Sequence, residues 1–428
     1  MPSRREVLRG VVAGSLVGLA GCTDETVSGE WPRAGYDRRN TGDATDRDGP
    51  GRSLTTAWSA SVPESITTRT PAIADGRVYV SMADDDVRGD GTVGFRIFDA
   101  DTGEQLRDVT VTSGPEFVGA IELLPDSLVV SNGAVYLVAF DGIHSYTPDG
   151  EKRWHRPLPH NKEQSSIDAA HPAVVGDTVF APTGGIKTDA QVPKGLLAID
   201  DASGELQWRY DGPVAGRSES MYSAAYADGT VYLSMLDTGV VALTADSGEM
   251  EWLREVPAAG PPTVADGRVY VPTEVVGSDE GAIRALNAAT GDQIWRQAGA
   301  GERFGRAIAA ADGRVYCRED LDAVVCRDGA TGEEVWRYAT SDSPFKNRPV
   351  LTRDAVYLGI DAEDDERSGI IALDPATGDR VGGVGLEKNG GYRAKIVASE
   401  ERLFITTRQD RVYAVEACTV DAFSRCLR

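Results

Sequence analysis

Four histidines, three acidic clusters and five cysteines are the residues that could carry chemistry in this chain of 428 residues. The histidines are His144, His155, His160 and His171, spaced 11, 5 and 11 apart. Those intervals match no short metal motif, and the expectation is ordinary surface or loop histidines. His155 and His160 flank a polar segment after Trp154 and could face a groove. The acidic clusters are Asp84-Asp85-Asp86, Asp320 with Asp322, and Asp361 to Glu366. Oxygen-rich loops can hold Ca²⁺, but none has the EF-hand pattern. In so acidic a chain they read as solvated loops on one rim of the fold. Neither a G-x-S-x-G elbow nor a Walker A loop occurs. The residue types therefore nominate no catalytic residue, no cofactor-binding residue and no metal set.

The cysteines divide by position. Cys22 closes the opening stretch MPSRREVLRGVVAGSLVGLAGC. Arg4, Arg5 and Arg9 form a basic head, and Val11 to Ala20 form an apolar run too short to span a bilayer. Ser3 to Leu8 resembles a twin-arginine export signal, and Leu19-Ala20-Gly21-Cys22 resembles a lipobox. The expectation is a signal peptide over residues 1–21 and a lipid on Cys22, which tethers the protein to the outer side of the cell membrane without spanning it. Residues 22–57 then read as a polar linker, with Trp31 to Gly35 docking on the body. Cys418 and Cys426 sit close in the tail over 418–428, where an exported protein permits a disulfide. Cys317 and Cys326 flank a hairpin. If its turn centres near Asp320-Leu321, they are diagonal neighbours on one face and remain free, buried thiols.

The formal net charge is −23, with 67 Asp and Glu against 44 Lys and Arg. Such a surface repels phosphates and disfavours nucleic acid. Only seven of the cations are Lys, and an acidic, Lys-poor surface resembles proteins of salt-loving organisms.

The elements that must position these residues are written as a repeat. The word ADGRVY occurs at Ala74–Tyr79, Ala265–Tyr270 and Ala311–Tyr316. Related pairs fall at Val135-Tyr136, Val179-Phe180, Val231-Tyr232, Val356-Tyr357 and Leu403-Phe404, completing eight units. A polar turn such as DGATG (Asp328–Gly332) follows in most units. A strand ending in Trp154, Trp208, Trp252, Trp295 or Trp336 closes five of them. The first unit ends instead in Leu106 and the seventh in Val381. A period of 40 to 50 residues with several short strands per unit predicts an all-β propeller of four-stranded antiparallel blades, because one blade cannot bury both faces alone. The eighth unit, near Ile396 to Ala417, lacks its last strand. Thr55 to Ala60 can supply it, placing Trp58 where Trp336 sits. The expectation is eight blades over residues 58–417, with seven as the alternative count.

These units resemble the PQQ-like repeat family of β-propellers. Gly76, Gly229, Gly267 and Gly313 match its first glycine, and Asp374 to Gly378 matches its turn. Trp31-Pro32, Gly35, Asp37 and Thr41-Gly42 resemble an opening element of the family. The resemblance implies one of two roles. Quinoprotein dehydrogenases of alcohols or sugars hold pyrroloquinoline quinone and Ca²⁺ over the axis, with a flat Trp below and often two adjacent Cys above. Scaffold lipoproteins keep the repeat without that site. This chain has no adjacent Cys pair and no C-x-x-C-H haem motif. The expectation is a non-enzymatic, monomeric scaffold binding an envelope or membrane protein, with no cofactor. The quinone-dependent dehydrogenase and a Ca²⁺-dependent carbohydrate-binding propeller stand as alternatives.

Overall fold

The computed structural model describes residues 31–62, 66–84, 91–114, 128–139, 141–158, 170–183, 195–212, 221–236, 238–274, 281–298, 308–319, 323–340, 345, 347–360, 369–386, 394–407, 411–420 and 426–427. They form eight antiparallel blades, each a meander of a short inner strand and three longer ones. Blade six is typical: Ala309–Ala311, Arg314–Glu319, Ala323–Asp328 and Glu334–Ala339.

ADGRVY is now resolved into parts. Ala74 ends the inner strand of blade one, Asp75 and Gly76 make the turn, and Arg77-Val78-Tyr79 begin the next strand. Both turn residues have positive φ, 50° at Asp75 and 67° at Gly76. That is the primed hairpin turn whose twist suits a two-residue loop, and Asp-Gly is among its preferred pairs. Val78 enters the core, and Tyr79 reaches the next blade, its hydroxyl donating to the Pro148 carbonyl at 3.4 Å. Tyr232 and Tyr270 donate likewise to the carbonyls of Ala288 and Gly329.

The closing Trp makes the second inter-blade bond. Each indole Nε1 donates to a carbonyl in the next blade's polar turn: Trp58 to Ala100, Trp208 to Ala245, Trp252 to Ala288, Trp295 to Gly329 and Trp336 to Pro375, all at 2.9–3.0 Å. Trp154 does the same to Asp201 at 2.6 Å. In blades one, three, five, six and seven the Asp or Asn oxygen that starts the turn accepts backbone N–H groups. Asp328 Oδ1 bonds the N–H of Ala330 and Thr331, and these bonds lower its pKa.

Closure follows the expected route. Leu54–Ser61 pairs antiparallel with Arg411–Ala417, with Trp58 opposite Ala414. Two assignments shift by one residue. In the blades that end in Trp, the Trp stands just past a bulge in the outer strand. The equivalent positions in blades one and seven are Arg107 and Gly382, not Leu106 and Val381. A side chain is excluded at Gly382, where a Cβ would lie 1.7 Å from the Arg52 carbonyl. The segment leading into the closing strand occupies the space that Trp fills elsewhere.

The expected linker is, from Trp31 onward, part of the body. Trp31 pairs with Ile73, and the Pro32 carbonyl accepts the Val130 N–H. The carbonyls of Arg38, Arg39, Thr41 and Gly42 then accept the N–H groups of Tyr226, Val264, Ala310 and Leu351. These donors belong to the inner strands of blades four to seven, so residues 31–44 form a strap laid along the inner strands round the axis. The strap bends at two left-handed residues, Tyr36 (φ 69°) and Asn40 (φ 58°). Asn tolerates this conformation, whereas Tyr is strained there.

Candidate functional site

Connections alternate between the two faces of an antiparallel meander. The tight Asp-Gly and Thr-Gly turns share one face. The connections from the second to the third strand, and from each outer strand to the next blade, leave the other. The strand ends that flank residues 85–90, 184–194, 275–280 and 361–368 therefore lie on that second face. The strand ends that flank residues 159–169 and 213–220 lie on that face too. The acidic stretches beyond Asp84, with Asp320, Asp322 and Asp361 to Glu366, lie outside the described residues, as do Cys22 and His160.

Two polar groupings are described. The first is at the axis. Arg33 is 2% exposed. Its Nη2 donates to Asn40 Oδ1 at 2.7 Å, His171 Nδ1 at 2.6 Å and the Ala224 carbonyl at 3.2 Å. Asn40 is fully used, its Nδ2 donating to the carbonyls of Ala224 and Pro262. Burial pushes the Arg33 guanidinium down to about 9, Asp37 opposes this, and the charge of Arg348 adds to it. Asp37 itself is raised by burial while its Oδ1 accepts the N–H groups of Arg39 and Thr41.

The second grouping is in blade two, where the hairpin register sets His144 opposite His155. Their rings stack at 4.1 Å with 8° between planes. His144 Nε2 lies 2.8 Å from Asp141 Oδ1, and His155 Nε2 lies 3.6 Å from Asp141 Oδ2. His144 is buried in a strand, not the surface or loop histidine expected; His171 lies in a loop, as expected, but buried beside Arg33. The pair was detectable in principle: fixing Trp154 opposite Ser145 places His155 opposite His144.

One ligand atom from each of Asp141, His144 and His155 falls within 4.8 Å of the others. As built, however, the trio is a hydrogen-bonded cluster. Imidazole lone pairs lie in the ring plane, so two nearly parallel stacked rings cannot aim at one ion until one turns out of the stack. His144 Nδ1 is also buried without a partner. Coordination through Nε2 would leave an unpaired N–H there, whereas metal-bound His usually donates that proton.

Cys317 and Cys326 are free and buried, but not as same-face diagonal neighbours. Cys317 stands opposite Val325 and Cys326 opposite Tyr316. The register differs by one residue, so the thiols point to opposite faces. Cys317 packs with Tyr270 and Trp295 of blade five, and Cys326 with Leu351 and Val356 of blade seven. Cys418 is disulfide-bonded. A short pairing sets Val420 opposite Cys426.

These features define a closed, eight-bladed propeller with an axial strap and latched blades. The sequence model described as outer membrane protein assembly factor BamB matches residues 55–191, 193–298 and 279–381, and the chain belongs to this PQQ-type propeller family. Among solved structures, the quinohemoprotein alcohol dehydrogenase from Comamonas testosteroni is similar at 15% identity and TM-score 0.67, over 93% of this chain and 82% of that one. A europium-containing methanol dehydrogenase is similar at 14% identity and TM-score 0.62, over 89% of each chain. BamB from Moraxella catarrhalis is similar at 17% identity and TM-score 0.55, over 85% of this chain and 97% of that one. No curated protein matches in sequence.

A quinone fits the described residues poorly. All seven Trp are described. Six bond the neighbouring blade, and Trp31 is buried against Ile73 and Tyr36. None lies free to form the flat floor that the enzyme branch uses.

Proposed function

We propose that the protein is a non-enzymatic binding propeller, tethered by lipid on Cys22 outside the cell membrane, that holds an envelope or membrane protein on its long-connection face. The observation that carries this reading is the asymmetry of the disc. One face is uniform tight turns that serve the blade seams, and every long variable connection leaves the other. Function in propellers sits on such loops, held by a rigid frame. The family match to an assembly factor supports it. The test is photo-crosslinking in native membranes from positions in 184–194 and 361–368, compared with positions at Asp228 and Asp312. A reproducible partner from the first set alone supports the reading. Equal labelling from both faces, or none, defeats it.

A quinone-dependent oxidoreductase is the second reading. It is favoured by the extent of fold shared with the two dehydrogenases and opposed by the committed Trp residues. Dye-linked oxidation of alcohols and aldoses with added quinone and Ca²⁺ separates the two, since turnover requires the enzyme.

A further inference from the structure

Blade two departs from its neighbours at one cross-strand pair. The residue after Trp154 is His155, and the residue facing it is His144. The same two positions hold Leu197 with Arg209, Val241 with Leu253 and Val325 with Arg337 in blades three, four and six. The hairpin that carries His144 also brings Asp141, three residues earlier, against both imidazoles. Two histidines and one carboxylate are the donors of a borderline divalent cation of the Zn²⁺ kind, whereas Ca²⁺ takes oxygen alone.

The rings stack, so one must turn before both face one ion. His155 is placed to turn. Its side chain is 24% exposed, against 1% for His144. Its polar contacts to the cluster are loose, 3.2 Å to the Asp141 carbonyl and 3.6 Å to the carboxylate. A Cβ at position 142 would lie 2.9 Å from His155 Nε2, and the glycine there leaves that nitrogen room. His144 is the fixed ligand, its Nε2 held 2.8 Å from Asp141 Oδ1. The cost falls on His144 Nδ1, which is buried without a hydrogen-bond partner. Lack of such an outer partner typically lowers metal affinity by about 10–100-fold, so the bound ion should exchange.

We propose that Asp141, His144 and His155 form an exchangeable site for a divalent cation of the Zn²⁺ kind, completed when His155 swings out of the stack. The hairpin at Asp141 belongs to the face of the long connections, so water or a side chain of a bound protein takes the remaining coordination positions. The site stands whether or not that face holds a partner.

Two measurements test this. Untagged protein is titrated with Zn²⁺ by calorimetry, with Ca²⁺ in large excess to occupy the acidic surface. One Zn²⁺ per chain is expected. His155→Gln, at a partly exposed position, should weaken binding by more than the roughly 10–100-fold that loss of an outer partner costs. Co²⁺ in place of Zn²⁺ should give visible absorption stronger than that of the aqueous ion in the unaltered protein alone. Should the variant fail to fold, crystals of the unaltered protein soaked in Zn²⁺ decide the matter. An anomalous peak about 2.0–2.2 Å from one ligand atom of each of the three residues is expected. No Zn²⁺ binding, equal affinity in His155→Gln, or a map without that peak overturns the proposal.

Discussion

Gly378 of blade seven sits directly against the indole of Trp336 of blade six. A Cβ on this glycine would lie 2.6 Å from Cδ2 and Cε3 of the ring. The same contact joins Gly291 to Trp252 and Gly248 to Trp208. The repeated Thr-Gly and the repeated Trp are thus two halves of one seam, contributed by different blades. Gly378→Ala should cost about 2–4 kcal/mol, from positive φ (77°) and from overpacking against the ring. Gly229→Ala has comparable φ (84°) with nothing within 4 Å of the new methyl, and should cost only about 1–2 kcal/mol. Denaturant midpoints of the two variants check this, and equal losses would refute the seam as the cause.

Glu319 is buried between two arginines of its own blade. It pairs with Arg327, and its Oε2 lies 2.5 Å from Arg337 Nη2. Glu319→Ala leaves the buried Arg327 with only the more exposed Glu334 at 4.0 Å, so a loss of about 3 kcal/mol is expected. Arg337, more exposed and also paired with Glu334 at 2.8 Å, should matter less. Urea unfolding of Glu319→Ala beside Arg337→Ala tests the order, and a larger loss in the second variant would reverse the argument.

Burial pushes the thiol of Cys317 up to about 12 and that of Cys326 up to about 11. Little thiolate exists at pH 8, and the side chains point to opposite faces. Neither cysteine should react with a soluble maleimide until the fold opens, and diamide should not join them. Peptide mapping of native and guanidinium-treated protein reads both outcomes. A Cys317–Cys326 peptide from native protein would contradict the register.

The blade-two cluster should make stability depend on pH. Burial and the charge of His144 hold His155 below its ordinary 6.5, with Asp141 opposing. Burial raises Asp141, but the His144 hydrogen bond and the charges of both histidines outweigh it and leave its pKa below 3.8. Each folded pKa is below its unfolded value, so the unfolded chain binds more protons in both windows. Stability is full above about pH 6.5, falls first through the His155 window, and falls again below about pH 4. Urea midpoints at fixed salt should show His155→Gln abolishing the upper step and shrinking the lower one, since the His155 charge helps hold Asp141 down. An upper step of unchanged size in that variant would assign it elsewhere.

Much of this architecture is legible in the sequence because its units repeat the same solution. ADGRVY, the Thr-Gly turns and the Trp positions recur at blade spacing, and Trp58 shows where the missing strand lies. The axial cluster is illegible for a physical reason. Arg33 meets His171 across 138 residues and Ala224 across 191, and the strap follows no period. The cysteine register failed on a smaller matter. The hairpin between Glu319 and Ala323 has an odd loop, and moving its centre by half a residue turns a side chain to the opposite face.

The clasp in blade eight has a consequence for how the molecule comes into being. Ser59 and Arg411, joined by a side-chain hydrogen bond across that sheet, are 352 residues apart. During synthesis Leu54–Ser61 must wait, edge exposed, until nearly the whole chain has been made. Such long-range closure is slow, and a waiting strand is open to pairing with the wrong neighbour. Truncation after residue 410 would thus leave an open chain of blades with two unsatisfied ends, prone to join other chains end to end.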